Sequence, residues 1–174
     1  MIETIIFAFG SFVIVWVSIT SLRQPGSHGF YRFFAWEIIL GLFVINLRSW
    51  FVNPFSWNQI ISWILLVMCL IPIVYGVFLL RTIGKPTDQL EKTTHLVTKG
   101  IYQYIRHPLY ASLIYLAWGI FFKSPTLLSC CLAVVSTCFM YATARADESE
   151  CLVKFGAEYT GYMKKTKMFI PLVL

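Results

Sequence analysis

Charged residues are scarce in this 174-residue chain. Only 13% of the residues are Asp, Glu, Lys or Arg, and 8 acids face 14 Lys and Arg. Hydrophobic residues make up 58% of the chain, and the mean hydropathy is +0.72. A water-soluble domain of this size carries more polar surface than that. The composition therefore excludes a large soluble domain and predicts an integral membrane protein in contact with the lipid bilayer.

Three further features are missing from the sequence. The 5 cysteines show no CxxC spacing and mostly lie in apolar stretches, so we predict neither a disulfide nor a metal site. No glycine-rich strand-to-helix turn such as GxGxxG is present, which argues against a Rossmann-type nucleotide site. The first apolar run is preceded by Glu3 rather than by basic residues, so we predict a retained helix and not a cleaved signal peptide.

Long apolar runs are what the sequence does contain. About 20 residues span a bilayer as a helix. The runs cover roughly residues 5–22, 34–52, 60–80, 109–122 and 126–143. Pro125 separates the last two runs, because proline ends one helix and can begin the next. The sequence therefore predicts an all-α, polytopic membrane bundle with five transmembrane helices.

The polarity of the chain predicts one membrane domain over residues 1–174, in four consecutive parts. These parts are three transmembrane helices in 1–80, a cytoplasmic loop in 81–107, two transmembrane helices in 108–143 and a cytoplasmic C-terminal segment in 144–174.

The basic residues predict the orientation in the membrane. Outside the apolar runs they fall on one side of the predicted topology, with Lys123 as the exception. By the positive-inside rule, the N-terminus lies outside and the C-terminus in the cytoplasm. The same bias explains the pI of about 9.1, so nucleic acid is not an implied partner.

Polar chemistry is concentrated in two stretches on the predicted cytoplasmic side. The first ends in the string GIYQYIRHPLY, residues 100–110, at the mouth of the fourth apolar run. Pro108 suits the first position of a helix, where no N–H donor is needed. Taken alone, His107 and Pro108 are also explained as a helix entrance, and Arg106 as an interfacial residue that sets topology.

The second stretch begins with RADESE, residues 145–150, directly after the fifth apolar run. Its spacing predicts a short helix that Gly156 ends. Acids next to a membrane are costly unless they reach water or a cation, so Glu148 is a candidate cation-binding group. A solvated helix turn is the alternative. Because both stretches are predicted on one face of the membrane, they favour a shared site.

These residues resemble the isoprenylcysteine carboxyl methyltransferase family. The matching motifs are HLV at 95–97, GxYxxxRHPxY at 100–110 and, after the acidic helix, FGxxYxxY at 155–162. The resemblance covers about residues 90–171 and extends to the related membrane phospholipid N-methyltransferases. The short chain is typical of a prokaryotic member, most simply an archaeal one.

The resemblance implies a helical bundle that binds S-adenosylmethionine at the cytoplasmic face and releases S-adenosylhomocysteine. The residues that it assigns to the cofactor are Gln89, His95, Leu96, Val97, Tyr102, His107, Pro108, Tyr110 and Glu148. The acidic stretch can be aligned with the family either without a gap or with a one-residue deletion. Glu148 is assigned to the cofactor in both alignments, whereas Arg145 matches a family arginine only in the ungapped one.

The implied reaction is carboxyl O-methylation of a prenylated cysteine or a similar lipidic carboxylate. Such a carboxylate is ionised at neutral pH and needs no base, but it needs a cation to orient it. Arg106 and Arg145 are the candidate catalytic cations. The alternative acceptor is an amine-containing phospholipid, which would need a proton acceptor such as Glu148 or His107. A non-enzymatic membrane scaffold is the third alternative.

Overall fold

Helices account for the regular structure of the chain. The computed structural model describes residues 1–86 and 93–171, and no β-strand occurs in those two ranges. The predicted all-α class is thereby confirmed. The helices are α1 (Ile2–Leu22), α2 (His28–Asn46), α3 (Trp57–Leu79), α4 (Pro108–Phe121), α5 (Leu127–Phe155) and α6 (Ala157–Lys165).

Four helical stretches of the described residues are long and apolar enough to cross a bilayer. They are Ile2–Leu22, His28–Ser49, Trp57–Gly84 and Leu127–Phe155. In contrast, α4 has 14 residues, which gives it a length of about 21 Å against a hydrocarbon core of about 30 Å. A five-span topology therefore stays a prediction, because α4 is too short for its length alone to show that it crosses the bilayer.

The start of α2 differs from the sequence expectation. The second apolar run begins at about residue 34, whereas the helix begins at His28. Ser27 caps it, since its hydroxyl accepts a hydrogen bond from the Phe30 N–H at 3.2 Å. Hydropathy marks where a helix becomes apolar, while the capping residue marks where its backbone bonds begin.

The acidic stretch after the fifth apolar run belongs to α5. This helix runs unbroken from Leu127 to Phe155, so the prediction of a separate short helix is wrong. No proline or glycine lies within those residues, and the Ala, Arg, Glu and Leu after the apolar run all favour helix. Gly156 does follow the last helical residue, with a φ of 54° that favours glycine, so the predicted helix end is confirmed.

The helices contribute to two compact units. The first comprises Met1–Val67 and Ile114–Asp147, and the second comprises Met68–Leu113 and Glu148–Leu174. A boundary between the units falls within each of the helices α3, α4 and α5. The assignment of residues 1–174 to one membrane domain stays a prediction.

Buried polar contacts join the apolar helices of the first unit. The Asn46 amide donates to the Ser129 hydroxyl at 3.3 Å, and the Ser62 hydroxyl donates to the Gly119 carbonyl at 2.6 Å. A Cβ at Gly119 would lie 3.0 Å from the Leu66 side chain, so glycine permits this close approach of α4 to α3. Hydrogen bonds and small residues of this kind hold helices together where lipid offers no hydrophobic gain.

Lys123 is buried in the loop between α4 and α5, with 2% of its surface exposed. Its ammonium donates to Gln59 Oε1 at 2.9 Å and lies 3.3 Å from the Trp63 ring centroid and 5.2 Å from that of Trp50. Burial lowers the pKa of Lys123. The Gln59 amide nitrogen also donates to the carbonyls of Ser49 and Lys123. Lys123 therefore fastens the loops at one end of the first unit.

Replacing Lys123 with alanine is expected to lower the free energy of unfolding by about 2–4 kcal/mol, because a charged hydrogen bond and a buried cation–π contact are lost. Denaturant titration of the purified protein in detergent measures this loss. The control is Lys99→Ala, at an exposed lysine, which is expected to change stability by less than about 0.5 kcal/mol. Equal losses in the two variants would mean that the contacts of Lys123 with Gln59, Trp63 and Trp50 add nothing to stability.

Candidate functional site

The second unit contains the polar string of residues 100–110. Gly100 begins a 3₁₀ turn with a φ of 61°, and a Cβ there would lie 2.7 Å from the Leu79 side chain, so this turn requires glycine. Pro108 begins α4, as predicted, and the His107 carbonyl accepts the first helical bond from the Ala111 N–H at 2.9 Å. Arg106 and His107 therefore stand at the N-terminal end of α4.

Backbone hydrogen bonds fasten this string beside the segment that follows α6. The Arg106 N–H donates to the Lys167 carbonyl at 2.8 Å, and the His107 N–H donates to the Met168 carbonyl at 3.1 Å. In return, the Lys167 N–H donates to the Tyr104 carbonyl at 3.1 Å. Two stretches of chain that are far apart in sequence thus orient the side chains of Arg106 and His107.

A buried ion pair connects the string to α5. Arg106 Nε and Nη2 both lie 2.7 Å from Glu148 Oε1, and the two side chains are 10% and 3% exposed. Arg106 Nη1 donates to the carbonyls of Thr166 and Met163. A buried ion pair is stable when further hydrogen bonds satisfy its donors in this way. Arg106 therefore ties both α5 and the end of α6 to the string.

His107 lies near the same carboxylate oxygen of Glu148. Its Nε2 is 3.5 Å from Glu148 Oε1, and its ring stacks on Tyr110 with 5.4 Å between centroids. The Phe169 ring lies 6.2 Å from the His107 ring. All four side chains are buried. The structure thus brings together Arg106, His107, Tyr110 and Glu148, which the sequence had singled out from separate stretches.

The other candidate residues of the 95–102 region occupy different surroundings. Val97 and Tyr102 belong to a hydrophobic cluster with Leu79, so their side chains contribute to the core of the second unit. His95 is exposed, and its Nδ1 lies 2.9 Å from the hydroxyl of Thr94.

Two candidates lie outside the described residues of the second unit. Arg145 is exposed on α5 and belongs to the first unit, three residues before Glu148 in sequence. Gln89 lies outside the described residues. Their proposed roles rest on the resemblance alone.

Tyr162 is a buried residue that the sequence analysis did not assign to the site. Its hydroxyl donates to the Tyr102 carbonyl and so fixes α6 against the string. Burial raises the pKa of Tyr162, so the hydroxyl stays a donor at neutral pH. Because the folded pKa is raised, this contribution to stability is complete below the usual pKa of about 10 and is lost as the pH rises beyond it.

Tyr162→Phe is expected to lower the free energy of unfolding by about 1–2 kcal/mol at pH 7, since the buried carbonyl of Tyr102 loses its donor. Thermal unfolding in detergent at pH 7 and above pH 10 measures the effect, and the deficit should shrink at the higher pH. The matched control is Tyr104→Phe, because Tyr104 is 58% exposed. Similar stabilities of the two variants at pH 7 would contradict the assigned hydrogen bond.

An open groove of about 440 Å³ lies in the second unit between residues 96–103 and α6. The residues that line it include Leu96, Thr98, Gln103, Glu158, Gly161 and Lys165. Its volume is within the range of small-molecule sites. Only Leu96 among these residues was predicted from the sequence to contact a ligand. The spacing of Glu158, Gly161 and Lys165, which puts them on one helix face, is the signal that could have found the rest.

Comparison with known proteins places this chain in a family. The sequence profile described as "Phospholipid methyltransferase" matches residues 36–157, more than half of the chain. The chain belongs to the phospholipid methyltransferase family. Isoprenylcysteine carboxyl methyltransferases belong to the same family, so the resemblance seen in the sequence is confirmed. A search of curated proteins found no match.

Membership in the phospholipid methyltransferase family makes the chain a multi-pass membrane methyltransferase, with S-adenosylmethionine as the methyl donor that the family implies. The donor carries an ammonium, a carboxylate and ribose hydroxyls. The groove offers side chains of both charges, Glu158 and Lys165, and the volume of a small-molecule site. The residues present therefore fit the donor.

Proposed function

We propose that the protein transfers a methyl group to a lipidic carboxylate, with the C-terminal carboxylate of a prenylated cysteine as the type of acceptor. The observation that carries this proposal is the pair between Arg106 and Glu148. An amine acceptor must lose a proton and needs a base, whereas a carboxylate is already ionised. Glu148, one of the two bases suggested for an amine, has Oε1 engaged by two guanidinium nitrogens. This arrangement favours an acceptor that needs no base.

Arg106 keeps one donor for such an acceptor. Its Nε, both hydrogens of Nη1 and one hydrogen of Nη2 point to Glu148, Thr166 and Met163. Within residues 1–86 and 93–171, Nη2 contacts Glu148 Oε1 alone, and we infer that its second N–H is available to a ligand. We assign the orientation of the acceptor carboxylate to this N–H. Arg145 stays the second candidate for that role.

The donor is proposed to contact the residues that the family resemblance assigns. These are Gln89, His95, Leu96, Val97, Tyr102, His107, Pro108, Tyr110 and Glu148. Bound S-adenosylmethionine supplies an electrophilic methyl group: the C–S bond breaks as the C–O bond forms, a neutral thioether is left in S-adenosylhomocysteine, and no proton is released. The chain contributes by holding the two reactants in line, which accounts for much of the rate in reactions of this type.

The contacts of the second unit also support the proposed topology of five spans. Arg106 precedes α4 and bonds to Glu148 near the end of α5, so these two residues lie on the same side of the membrane. If α5 crosses the bilayer, its beginning lies on the opposite side, and α4 must carry the chain there. The string and the C-terminal segment then share the cytoplasmic side, and the N-terminus lies outside. A lipid chain reaches this site from the bilayer.

Methyl transfer by the purified protein tests the proposal. The acceptors are N-acetyl-S-farnesylcysteine, its carboxamide as the matched control with no carboxylate, and phosphatidylethanolamine. We expect labelled methyl in the first compound only. Transfer to phosphatidylethanolamine without transfer to the farnesylated carboxylate would overturn the assigned acceptor class.

A further inference from the structure

We infer that one face of α6 forms a wall of the donor-binding site, with Glu158, Gly161 and Lys165 against S-adenosylmethionine. This inference rests on the proposed function. The three residues are spaced three and four apart in α6, so they share one face of the helix. That face borders the groove of about 440 Å³ in the second unit.

The charges of the groove suit a water-soluble ligand that carries both signs. Glu158 and Lys165 are exposed on α6, and Thr98 and Gln103 line the opposite side. A prenyl or acyl chain gains less from such mixed surroundings than from an apolar pocket, because its transfer from water is driven by apolar contacts. Lys165 complements the carboxylate of the donor, and Glu158 complements its ammonium or ribose hydroxyls.

Gly161 leaves open space beside α6 where it lines the groove. Glycine in a helix interior costs about 1 kcal/mol relative to alanine. Among the described residues, a Cβ at Gly161 would meet no atom within 4 Å, and its φ is not positive. Neither packing nor backbone conformation therefore explains this glycine within a helix of 9 residues. A ligand seated against α6 does explain it.

One residue connects the groove to the string of residues 100–110, and another connects it to the buried ion pair. Tyr162 lines the groove and donates to the Tyr102 carbonyl. Thr166 also lines the groove, and its carbonyl accepts from Arg106. The hydrogen bonds of Tyr162 and Thr166 therefore hold both the groove-facing side of α6 and the residues around Glu148 in place.

Filling the groove at Gly161 is the sharpest test. Gly161→Leu should preserve or raise the stability of α6, since leucine is the better helix former. Its dissociation constant for S-adenosylhomocysteine, measured by calorimetry on the full chain in detergent, should rise at least about tenfold. The control is Thr160→Leu at the adjacent exposed position, which does not line the groove and should leave the affinity unchanged.

Two neighbouring lysines provide a matched test of charge. Lys164 and Lys165 are both exposed, and only Lys165 lines the groove. Lys165→Gln should raise the dissociation constant for S-adenosylhomocysteine by about tenfold, because a charged hydrogen bond is lost, while Lys164→Gln should not change it. The KM for the lipidic acceptor should stay the same in both variants.

The outcomes separate this inference from the proposed function. Unchanged affinity in Gly161→Leu, with wild-type binding intact, would overturn the inference and leave the proposed function in place. Equal losses of affinity for S-adenosylhomocysteine in Lys164→Gln and Lys165→Gln would mean that only the overall charge matters. That result would overturn the assignment of Lys165 to the groove. A wild-type protein that binds no S-adenosylhomocysteine would overturn the proposed function itself.

Discussion

Arg106→Ala is expected to lower the free energy of unfolding by about 3–5 kcal/mol and to abolish methyl transfer. The substitution leaves the carboxylate of Glu148 buried without its guanidinium, and removing one partner of a buried ion pair has this effect. It also removes the donor to the Thr166 and Met163 carbonyls, so the segment after α6 loses its attachment to the string. Denaturant titration in detergent measures the stability, and labelled methyl transfer measures the activity.

The chain offers a matched control for this prediction. Arg48 and Glu3 form a second Arg–Glu pair, with Nε 2.6 Å from Oε1, but their side chains are 85% and 36% exposed. Arg48→Ala is expected to cost less than about 1 kcal/mol, because water solvates both charges once they separate. Comparable losses at Arg106 and Arg48 would contradict the importance of burial for the Arg106 pair.

Glu148→Gln is expected to raise the dissociation constant for S-adenosylhomocysteine at least about tenfold and to lower kcat/KM by a larger factor. Glutamine keeps the volume of the side chain but removes the charge that faces Arg106 and His107. Arg106 would then lose its orientation, so turnover should suffer more than binding.

The control for Glu148→Gln is Glu150→Gln, an exposed position on the same helix, for which we expect wild-type binding. Circular dichroism of both variants establishes that the helices are intact. Unchanged affinity in a folded Glu148→Gln protein would remove Glu148 from the donor site.

Local signals in the sequence predicted backbone features well. Pro108 fixes the start of α4 and Gly156 follows the end of α5, because each acts on the conformation of its own backbone. The length of α5 was predicted less well. Its polar part, which begins near residue 144, marks the expected exit from the membrane and not the end of the helix. Hydropathy therefore located the apolar parts of the helices better than the helix ends.

Contacts between residues that are far apart in the chain could not be predicted from the sequence. Arg106 and Glu148 were each singled out, but as groups that bind acceptor and donor, and their mutual contact across 42 residues was not predicted. That contact depends on how the string is held by the segment at residues 166–168, which no local pattern reports. The groove was missed for a related reason, since its two sides are formed by residues 96–103 and by α6.

Alkali treatment of the methylated lipids formed in membranes is the most direct test of the proposed reaction. Membranes from cells that express the protein are incubated with methyl-labelled S-adenosylmethionine, and membranes with Arg106→Ala serve as the control. A methyl ester releases its label as methanol in alkali, whereas an N-methyl group keeps it. We predict protein-dependent label that alkali releases as methanol, and alkali-stable label in an amine-containing phospholipid would contradict the proposal.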